Sequence, residues 1–307
     1  MKANLLCGKE TISIRLPDSA LFIENKPARA LSDPTLAVHE ALLHPIGTPS
    51  LSEIARGRKN ACIVISDITR PVPNDIILPP LLEILQKSGI AAKDITILIA
   101  TGMHRPNLGQ ELESMVGKEI KDNYRIVNHY CQKANEYREI VKIENAPIEI
   151  NTHYLDADLK ILTGLIEPHF YAGFSGSRKS ILPGIASFET MKFMHSYKVI
   201  DQLQQANCRL ENNIFHQYAM EVAELAGVDF ILNVVINQER DLAGVFAGHF
   251  NKAHYAGCEF VAEHAVSTLD ERVDLVITSA GGYPLDATFY QVSKCLIAAR
   301  DILTEDG

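Results

Sequence analysis

The chain has 307 residues and a formal net charge of −9, with 47% of its residues hydrophobic and 22% charged. This composition is that of an ordinary folded globular chain and excludes a disordered or fibrous protein. A nucleic-acid or anionic-membrane partner requires a concentrated patch of Lys and Arg, which the acidic balance argues against. We therefore expect neither nucleic acid nor a membrane as a partner.

The amino-terminal segment lacks the long apolar region of a signal peptide, and no apolar run approaches the roughly 18 residues of a membrane span. The expected location is therefore the cytoplasm. The six cysteines are scattered without a CxxC pair. We expect reduced, buried thiols, and neither a zinc knuckle nor a disulfide framework.

Short apolar runs alternate with helical stretches along the chain, as is typical of parallel sheets built from β-α-β units. An opening hairpin is predicted from residues 4–8 and 11–16, and a further β-rich excursion at 143–154. Strands are predicted at 61–66, 94–100, 125–130, 159–164, 230–237 and 273–280. Helices are predicted at 74–89, 187–198, 213–226, 251–268 and 287–302. The predicted fold class is α/β, with mostly parallel sheets flanked by helices.

The length of the chain favours two domains. The long predicted helix ending near Leu269 places the boundary there, with residues 1–269 in one α/β domain and residues 270–307 beginning a second. One strand and one helix cannot bury a core of their own. A β-α-β unit would next supply a returning strand, so we expect the second domain to be truncated.

Charged and titratable side chains follow three of the predicted strands. Arg70 follows the strand at 61–66, His104 the strand at 94–100 and His169 the strand at 159–164. Ligands of open α/β sheets bind beyond the carboxyl ends of the strands. A lone Arg70 is explained by a surface salt bridge with Asp67, and a lone loop histidine by hydrogen bonding. Their joint occurrence at corresponding strand ends favours a functional site.

Residues 171–184, YAGFSGSRKSILPG, form a loop rich in glycine, serine and cations, a composition that suits phosphate binding. The loop half matches the P-loop pattern G-x-x-x-x-G-K-[ST], with Gly173 first and Lys179-Ser180 last. Arg178 takes the place of the second glycine, where a Cβ obstructs the anion nest. The sequence therefore argues against a standard ATP site, though not against phosphate binding.

Five motifs, taken in order, resemble those of the nickel-dependent lactate racemase family. They are DITRPVPN, TGMHRP, EPHFYAGFSGSRKSILPG, MKFMHS and YQVSKC, and the resemblance extends over essentially the whole chain. The segment from Glu167 to Gly184 is the most specific. The resemblance implies a racemase or epimerase that inverts C2 of a small 2-hydroxy acid, lactate or a relative, in a cleft between two domains. Residues 1–269 would then carry the catalytic groups and anchor the cofactor.

The cofactor implied by the resemblance is a pyridinium nucleotide whose sulfur groups hold nickel as a pincer. Carried over by motif, Lys179 is linked covalently to this cofactor, His195 is the nickel ligand, and His104 and His169 are the two acid/base histidines. Around the substrate the resemblance places Arg70, Lys294, Gln291 and Tyr290. Around the cofactor it places Asp67, Thr69, Ser175, Ser177 and Arg178. Enzymes that make the cofactor are implied as partners.

Chemical reasoning agrees with these implied roles. Abstraction of a proton from C2 of a 2-hydroxy acid is hard because the adjacent carboxylate is already anionic, whereas removal of hydride gives a neutral ketone. Two faces call for two bases, and imidazole with an unperturbed pKa of about 6.5 serves in both directions. Arg70 offers a planar fork for a carboxylate. A neutral imidazole at His195 suits a divalent first-row metal.

Two other functions stay open from the residues alone. A nucleotide-dependent phosphotransferase would hold its nucleotide with GFSGSRKS and a Mg²⁺ ion with Asp67. A non-catalytic carrier of nickel or of the cofactor would keep Lys179 and His195 but would not need both His104 and His169. The substrate side chain is also open, since one methylene changes binding by only about 1 to 3 kcal/mol.

Overall fold

The computed structural model describes residues 1–23, 26–203, 206–267, 269–283, 286, 289–300 and 302–307, without the side chains of residues 134, 290, 291 and 294. The chain divides into two compact units. One is Pro27–Glu263, and the other consists of Met1–Lys26 together with His264–Gly307. The domain boundary at residue 269, the truncation of the second domain and the cleft between two domains stay predictions.

Twelve strands and twelve α-helices make up the described part of the chain. The strands are β1 (Lys2–Cys7), β2 (Glu10–Arg15), β3 (Ala61–Ser66), β4 (Ile95–Ala100), β5 (Arg125–Asn128), β6 (Tyr137–Ile143), β7 (Ala146–Asn151), β8 (Leu159–Leu165), β9 (Pro168–His169), β10 (Gly173–Phe174), β11 (Phe230–Ile236) and β12 (Leu242–Gly248). The helices are α1 (Pro34–Leu43), α2 (Leu51–Ala55), α3 (Asn74–Lys87), α4 (Gly109–Val116), α5 (Lys118–Asn123), α6 (Thr152–Leu155), α7 (Arg178–Ile181), α8 (Phe188–Met194), α9 (Tyr197–Ile200), α10 (Ile214–Ala226), α11 (Lys252–Ala265) and α12 (Phe289–Arg300). None of the helices in the described ranges combines the length and the apolar character that a membrane span requires.

A six-stranded sheet in the order β12-β11-β8-β3-β4-β5 forms the centre of the unit Pro27–Glu263. The five strands from β11 to β5 are parallel, and β12 pairs with β11 in the antiparallel direction. The structure therefore confirms the predicted α/β class with a mostly parallel sheet. The carboxyl ends of β8, β3 and β4 lie side by side in this order.

The core lies on both faces of this sheet because its central strand has no polar face. In β3, Ile63 and Ile65 belong to the apolar cluster that includes α1 and α3. Cys62 and Val64, which alternate with them, belong to the cluster on the opposite face, which includes α7 and α10. A strand covered by helices on both faces reads as a continuous apolar run, and this is why ACIVIS was recognisable in the sequence.

The segment predicted as one helix at 187–198 is two helices with a break at His195. Ser187 caps the start of α8 by accepting a hydrogen bond from the Thr190 backbone N–H at 3.3 Å. His195 forms the carboxyl cap of α8, and α9 begins after Ser196. The break leaves His195 at a helix end rather than on a continuous helical face.

The other predicted strands and helices are confirmed within a few residues, except the strand predicted at 273–280. The described residues 273–280 form no strand, and Val273 makes only an isolated bridge with Leu303. Leu275 and Ile277 are exposed. An apolar run becomes a parallel strand only when neighbouring strands pair its N–H and C=O groups, and the described residues supply no such neighbours here.

Candidate active site

Three loops at neighbouring strand ends carry the side chains singled out in the sequence. The loop after β3 carries Asp67 and Arg70, the loop after β4 carries His104, and the segment after β8 carries His169. Because β8, β3 and β4 are adjacent and parallel, these loops leave the same edge of the sheet. This is the edge at which open α/β sheets bind ligands.

Asp67 and His104 form a hydrogen-bonded pair between the first two loops. The carboxylate of Asp67 is 5% exposed, and its Oδ2 lies 2.7 Å from Nδ1 of His104. The Thr69 hydroxyl donates to Oδ1 of Asp67 at 2.6 Å. Burial raises the pKa of Asp67, but the hydrogen bonds from His104 and Thr69 and the nearby charges outweigh it, so that the pKa lies below its ordinary value. An ionised carboxylate only accepts, so Nδ1 of His104 carries the proton of this hydrogen bond.

Arg70 joins the loop after β3 to the segment after β8. Its Nε lies 3.5 Å from Oε1 of Glu167, and its Nη1 donates to the Thr69 carbonyl at 3.4 Å. The side chains of Arg70 and Glu167 are 17% and 33% exposed. The carboxylate that pairs with Arg70 is therefore that of Glu167, whereas the sequence suggested Asp67.

His169 is buried and is held by its own loop. Its Nδ1 accepts hydrogen bonds from the backbone N–H groups of Tyr171 and Ala172, both at 3.2 Å. The ring stacks on that of Phe170, with centroids 5.1 Å apart and planes 7° apart. Residue His169 also pairs with Gly173 where β9 meets β10. Since Nδ1 is the acceptor of two amides, Nε2 carries the proton of the neutral ring.

Ser175 and Ser177 are buried and tie their loop to the sheet. The Ser175 hydroxyl donates to the Leu165 carbonyl at 2.6 Å and accepts from the Glu167 backbone N–H at 2.9 Å. The Ser177 hydroxyl accepts from the side-chain amide of Asn233 on β11. Both hydroxyls are thus engaged within the protein. Contact of either serine, or of Thr69, with a cofactor stays a prediction.

Arg178 is 1% exposed, and its guanidinium donates to four neutral acceptors. Two are ring nitrogens, Nδ1 of His216 at 2.7 Å and Nε2 of His254 at 2.6 Å. Two are the carbonyls of Ala172 at 2.9 Å and Phe174 at 3.2 Å. Burial lowers the pKa of Arg178 to about 10, which still leaves it charged at neutral pH. The side chain holds the loop to α10 and α11, and its predicted contact with a cofactor stays a prediction.

His195 is half-buried, and the charge of Lys179 acts on it. Burial lowers the pKa of His195, and the charge of Lys179 lowers it further. Nδ1 of His195 donates to the Met191 carbonyl at 2.9 Å. The ring packs edge-on against Tyr171 and Phe215, with centroids 6.3 and 6.4 Å away. A neutral ring with Nδ1–H fixed in this way has its lone pair on Nε2, which is the arrangement of a metal-binding histidine.

The side chains near His195 suit a metal ion that is already bound by a cofactor. In the described ranges, no group of three or more His, Cys, Asp or Glu residues could hold a metal ion. A site built from protein ligands alone requires three or four such side chains. The lone pair on Nε2 of His195 can supply one ligand, which suits a metal whose other ligands belong to a cofactor.

Three predicted substrate residues have side chains outside the described part of the chain. Tyr290, Gln291 and Lys294 fall on α12, but their side chains are not among the described ones. Sequence reasoning missed Glu167 as the partner of Arg70, although it stands two residues before His169 in the same motif. His216 and His254, which belong to none of the five motifs, are the ring acceptors of Arg178.

Comparison with known proteins gives one family. A lactate racemase N-terminal domain model matches residues 7–207, and a lactate racemase C-terminal domain model matches residues 269–307. The chain is 40% identical over 307 residues to a lactate racemase of Thermoanaerobacterium thermosaccharolyticum, a match that covers 98% of this chain and 71% of that relative. It is 42% identical over 275 residues to a lactate racemase of Lactiplantibacillus plantarum, covering 88% of this chain and 63% of the relative. A solved structure of the lactate racemase apoprotein from the former organism matches with a TM-score of 0.91 and 40% identity, over 99% of this chain and 72% of that one. The chain therefore belongs to the lactate racemase family.

Proposed function

We propose that the chain is an isomerase that inverts C2 of a small 2-hydroxy acid, lactate or a close relative, with a nickel-pincer pyridinium nucleotide as cofactor. The observation that carries the proposal is that the charge of Lys179 acts on His195, whose Nδ1 is held by the Met191 carbonyl. One is a primary amine that can bind a cofactor covalently, and the other is a neutral imidazole with its lone pair on Nε2. Few functions need an amine and a single metal ligand in one site.

Each predicted side chain then has a task that its surroundings suit. Lys179 would anchor the nucleotide and His195 would bind nickel through Nε2. Arg70 binds the substrate carboxylate, because its planar guanidinium forms paired hydrogen bonds with carboxylates. His104 and His169 handle the proton of the substrate hydroxyl. When bound, the cofactor supplies an acceptor for the C2 hydride.

A phosphotransferase with a nucleotide in the loop 173–180 is disfavoured by the loop itself. Its backbone N–H groups donate to acceptors within the protein: Ser175 to the Glu167 carbonyl, Ser177 to the Asn233 side chain, Lys179 to the Gly176 carbonyl and Ser180 to the Ser177 carbonyl. A phosphate nest requires such amides to point at the anion. Helix α7, which follows, has only four residues. A non-catalytic carrier is disfavoured because it would not need a His104 that is hydrogen-bonded to the buried carboxylate of Asp67.

Intact mass measurement tests the proposal directly. The chain is co-expressed with enzymes that make the cofactor, which we propose as its partners, and is purified with nickel. We expect an adduct of the nucleotide that is lost in Lys179→Ala. Lys192→Ala is the matched control, since Lys192 is an exposed lysine that pairs with Glu189 at the surface, and it should keep the adduct. An adduct that survives in Lys179→Ala, or unmodified wild-type chain, argues against the proposal.

Activity is then measured on the loaded enzyme with D and L isomers of lactate and of other short 2-hydroxy acids. We expect exchange of the two isomers for at least one of them. The panel is needed because the side chain of the substrate is not assigned; Phe170, Tyr171 and Tyr283 are the candidates for the wall that contacts it. Cytoplasmic location stays a prediction from the sequence.

A further inference from the structure

We infer that Asn233 is a positioning residue for Lys179: its side-chain amide holds Ser177 in a backbone conformation that presents the lysine amine to the site. This inference rests on the proposed function, which gives Lys179 the task of binding the cofactor. It goes beyond that function by naming the residue that fixes the turn before Lys179. It arises from the backbone of Ser177, the contacts of Asn233 and the burial of the residues around Lys179.

Lys179 is the exception in a buried stretch of chain. From Ala172 to Pro183 every other residue is buried, and Lys179 alone is partly exposed. Successive residues of a helix point about 100° apart, so a rotation of the backbone at the start of α7 would turn another residue outward in place of Lys179. The direction of the lysine therefore depends on the turn that enters α7.

Ser177, the residue before α7, has a backbone conformation that serine rarely adopts. Its φ is 34° and its ψ is −100°. A residue with a Cβ is disfavoured at positive φ and persists there only where its surroundings hold it. Ser177 is fully buried, so these contacts must come from the protein.

The side chain of Asn233 supplies such contacts. Its Oδ1 accepts a hydrogen bond from the Ser177 backbone N–H at 3.3 Å, and its Nδ2 donates to the Ser177 hydroxyl. Asn233 is fully buried and is the one polar residue of β11, FILNVVI. A buried amide costs free energy unless it is hydrogen-bonded, and Ser177 provides a partner for each end of this one. The two residues therefore stabilise each other's unfavourable state.

Two glycines bring the turn within reach of Asn233. A Cβ on Gly164, which pairs with Asn233 in the sheet, would lie 3.2 Å from the Gly176 Cα and 3.3 Å from Oδ1 of Asn233. A Cβ on Gly176 would lie 3.0 Å from a side-chain carbon of Ile166. These distances are shorter than ordinary van der Waals contact. Glycine at both positions thus lets the turn lie directly on the sheet, where the amide of Asn233 meets it.

Two substitutions of Ser177 test whether its backbone conformation matters. Ser177→Ala and Ser177→Gly both remove the hydroxyl, but only glycine adopts positive φ without a penalty. The chain is co-expressed with enzymes that make the cofactor, and intact mass gives the fraction that carries the adduct. We expect both variants to carry less adduct than the wild type, and Ser177→Gly to carry more than Ser177→Ala. If Ser177→Ala carries as much adduct as Ser177→Gly, the inference is overturned.

Substitution of Asn233 tests the clamp itself. At a fixed time of co-expression we expect Asn233→Ala to carry about tenfold less adduct or lower still, because a small misplacement of a reacting group slows its reaction strongly. Adding Ser177→Gly to Asn233→Ala should recover most of this loss. Asn237→Ala is the matched control: it loses a hydrogen bond of the same kind, from the Asp241 backbone N–H at 2.8 Å, and should keep the adduct. Full adduct in Asn233→Ala, or no recovery in the double variant, overturns the inference. Thermal unfolding shows which variants are folded, and if Asn233→Ala is not, the two Ser177 variants decide.

Hydrogen exchange of the chain without cofactor separates this inference from the proposed function. The Ser177 backbone N–H exchanges slowly while Asn233 holds it. We expect exchange about tenfold faster in Asn233→Ala, the value of about one hydrogen bond, and the wild-type rate in Asn237→Ala. Equal exchange in the wild type and Asn233→Ala overturns the inference. If the wild type takes up no adduct, the proposed function fails, and hydrogen exchange still decides whether Asn233 holds the turn.

Discussion

Two clusters in the unit Pro27–Glu263 use arginine and histidine in opposite ways. The strand-end cluster consists of Asp67, Arg70, His104 and Glu167, and the buried cluster consists of Arg178, His216 and His254. In the strand-end cluster Arg70 and His104 each face a carboxylate and are partly exposed. In the buried cluster a guanidinium that is 1% exposed faces only neutral acceptors. The residue types are alike, so burial and the charge of the partner account for the difference.

The difference in burial explains why only the strand-end cluster suits acid/base chemistry. Burial and the charge of Arg178 lower the pKa of His216 to about 3, and the same causes lower the pKa of His254 well below its ordinary value. Both rings therefore stay neutral at physiological pH and act as fixed acceptors. The Asp67 carboxylate, by contrast, is ionised and is hydrogen-bonded to the exposed His104. The buried cluster holds the loop that carries Lys179, and the strand-end cluster is the one that we propose to bind the substrate.

The largest expected effect comes from removing the charge at the centre of the buried cluster. Arg178→Leu leaves two ring nitrogens and two carbonyls without their donor in a site that water does not reach. Loss of one partner from a buried charged network costs about 3 to 5 kcal/mol of unfolding free energy. Urea unfolding followed by circular dichroism measures this change.

A surface arginine provides the control for this prediction. Arg105 pairs with Glu111, and its side chain is 70% exposed. Arg105→Gln should leave the unfolding midpoint nearly unchanged, because exposed ion pairs contribute little. If Arg178→Leu is as mild as Arg105→Gln, the buried cluster does not hold the loop in place.

A smaller effect on the free energy of unfolding is expected from a change of pH, and its sign follows from the pKa of His216. An unfolded histidine has a pKa of about 6.5, whereas the folded value for His216 is about 3. Between these values the unfolded chain binds the proton and the folded chain does not. The stabilising contribution is thus fully present above pH about 6.5 and is lost as the pH falls toward 3, at up to about 1.4 kcal/mol per pH unit for one proton.

His216→Gln isolates this contribution. The Gln side-chain oxygen can accept from Nε of Arg178 but does not titrate, so the variant should lose stability less steeply than the wild type between pH 6 and 4. Denaturant unfolding at several pH values gives both slopes. If the unfolding free energies of the two proteins change with pH at the same rate, His216 binds its proton equally well in the folded and unfolded chains. His216 would then not be a neutral acceptor for Arg178.

The sheet was predictable because its strands are buried on both faces. ACIVIS, DITILIA and LKILTG are continuous apolar runs, and each became a strand of the central sheet. The sequence did not reveal β12, because its small residues, such as Gly244, carry a weak strand signal. The run at 273–280 has the strand composition, but strand formation depends on neighbours that a local pattern does not report.

For the site, the sequence predicted which side chains leave the strand ends but not how they pair. Position after a parallel strand is a local property, so Arg70, His104 and His169 could be named. The choice of Glu167 over Asp67 as the partner of Arg70 depends on distances between loops, which no spacing encodes. The tautomers of His104 and His169 depend likewise on the contacts made at Nδ1.

The smallest expected effect concerns the contact that closes the strand-end cluster. Glu167 holds the Nε edge of Arg70 at 3.5 Å, and both side chains are partly exposed, so the pair is worth at most about 1 kcal/mol. If Glu167 orients Arg70 for the substrate carboxylate, Glu167→Gln should raise KM by about two- to fivefold with little change in kcat, since about 1.4 kcal/mol corresponds to a factor of ten. Glu189→Gln, which removes a surface carboxylate paired with Lys192, is the matched control and should leave KM unchanged. A fall in KM for Glu167→Gln would mean that Glu167 competes with the substrate for Arg70. The two clusters would then differ in a further respect. Arg178 keeps its partners, whereas Arg70 must release Glu167 before it binds the substrate.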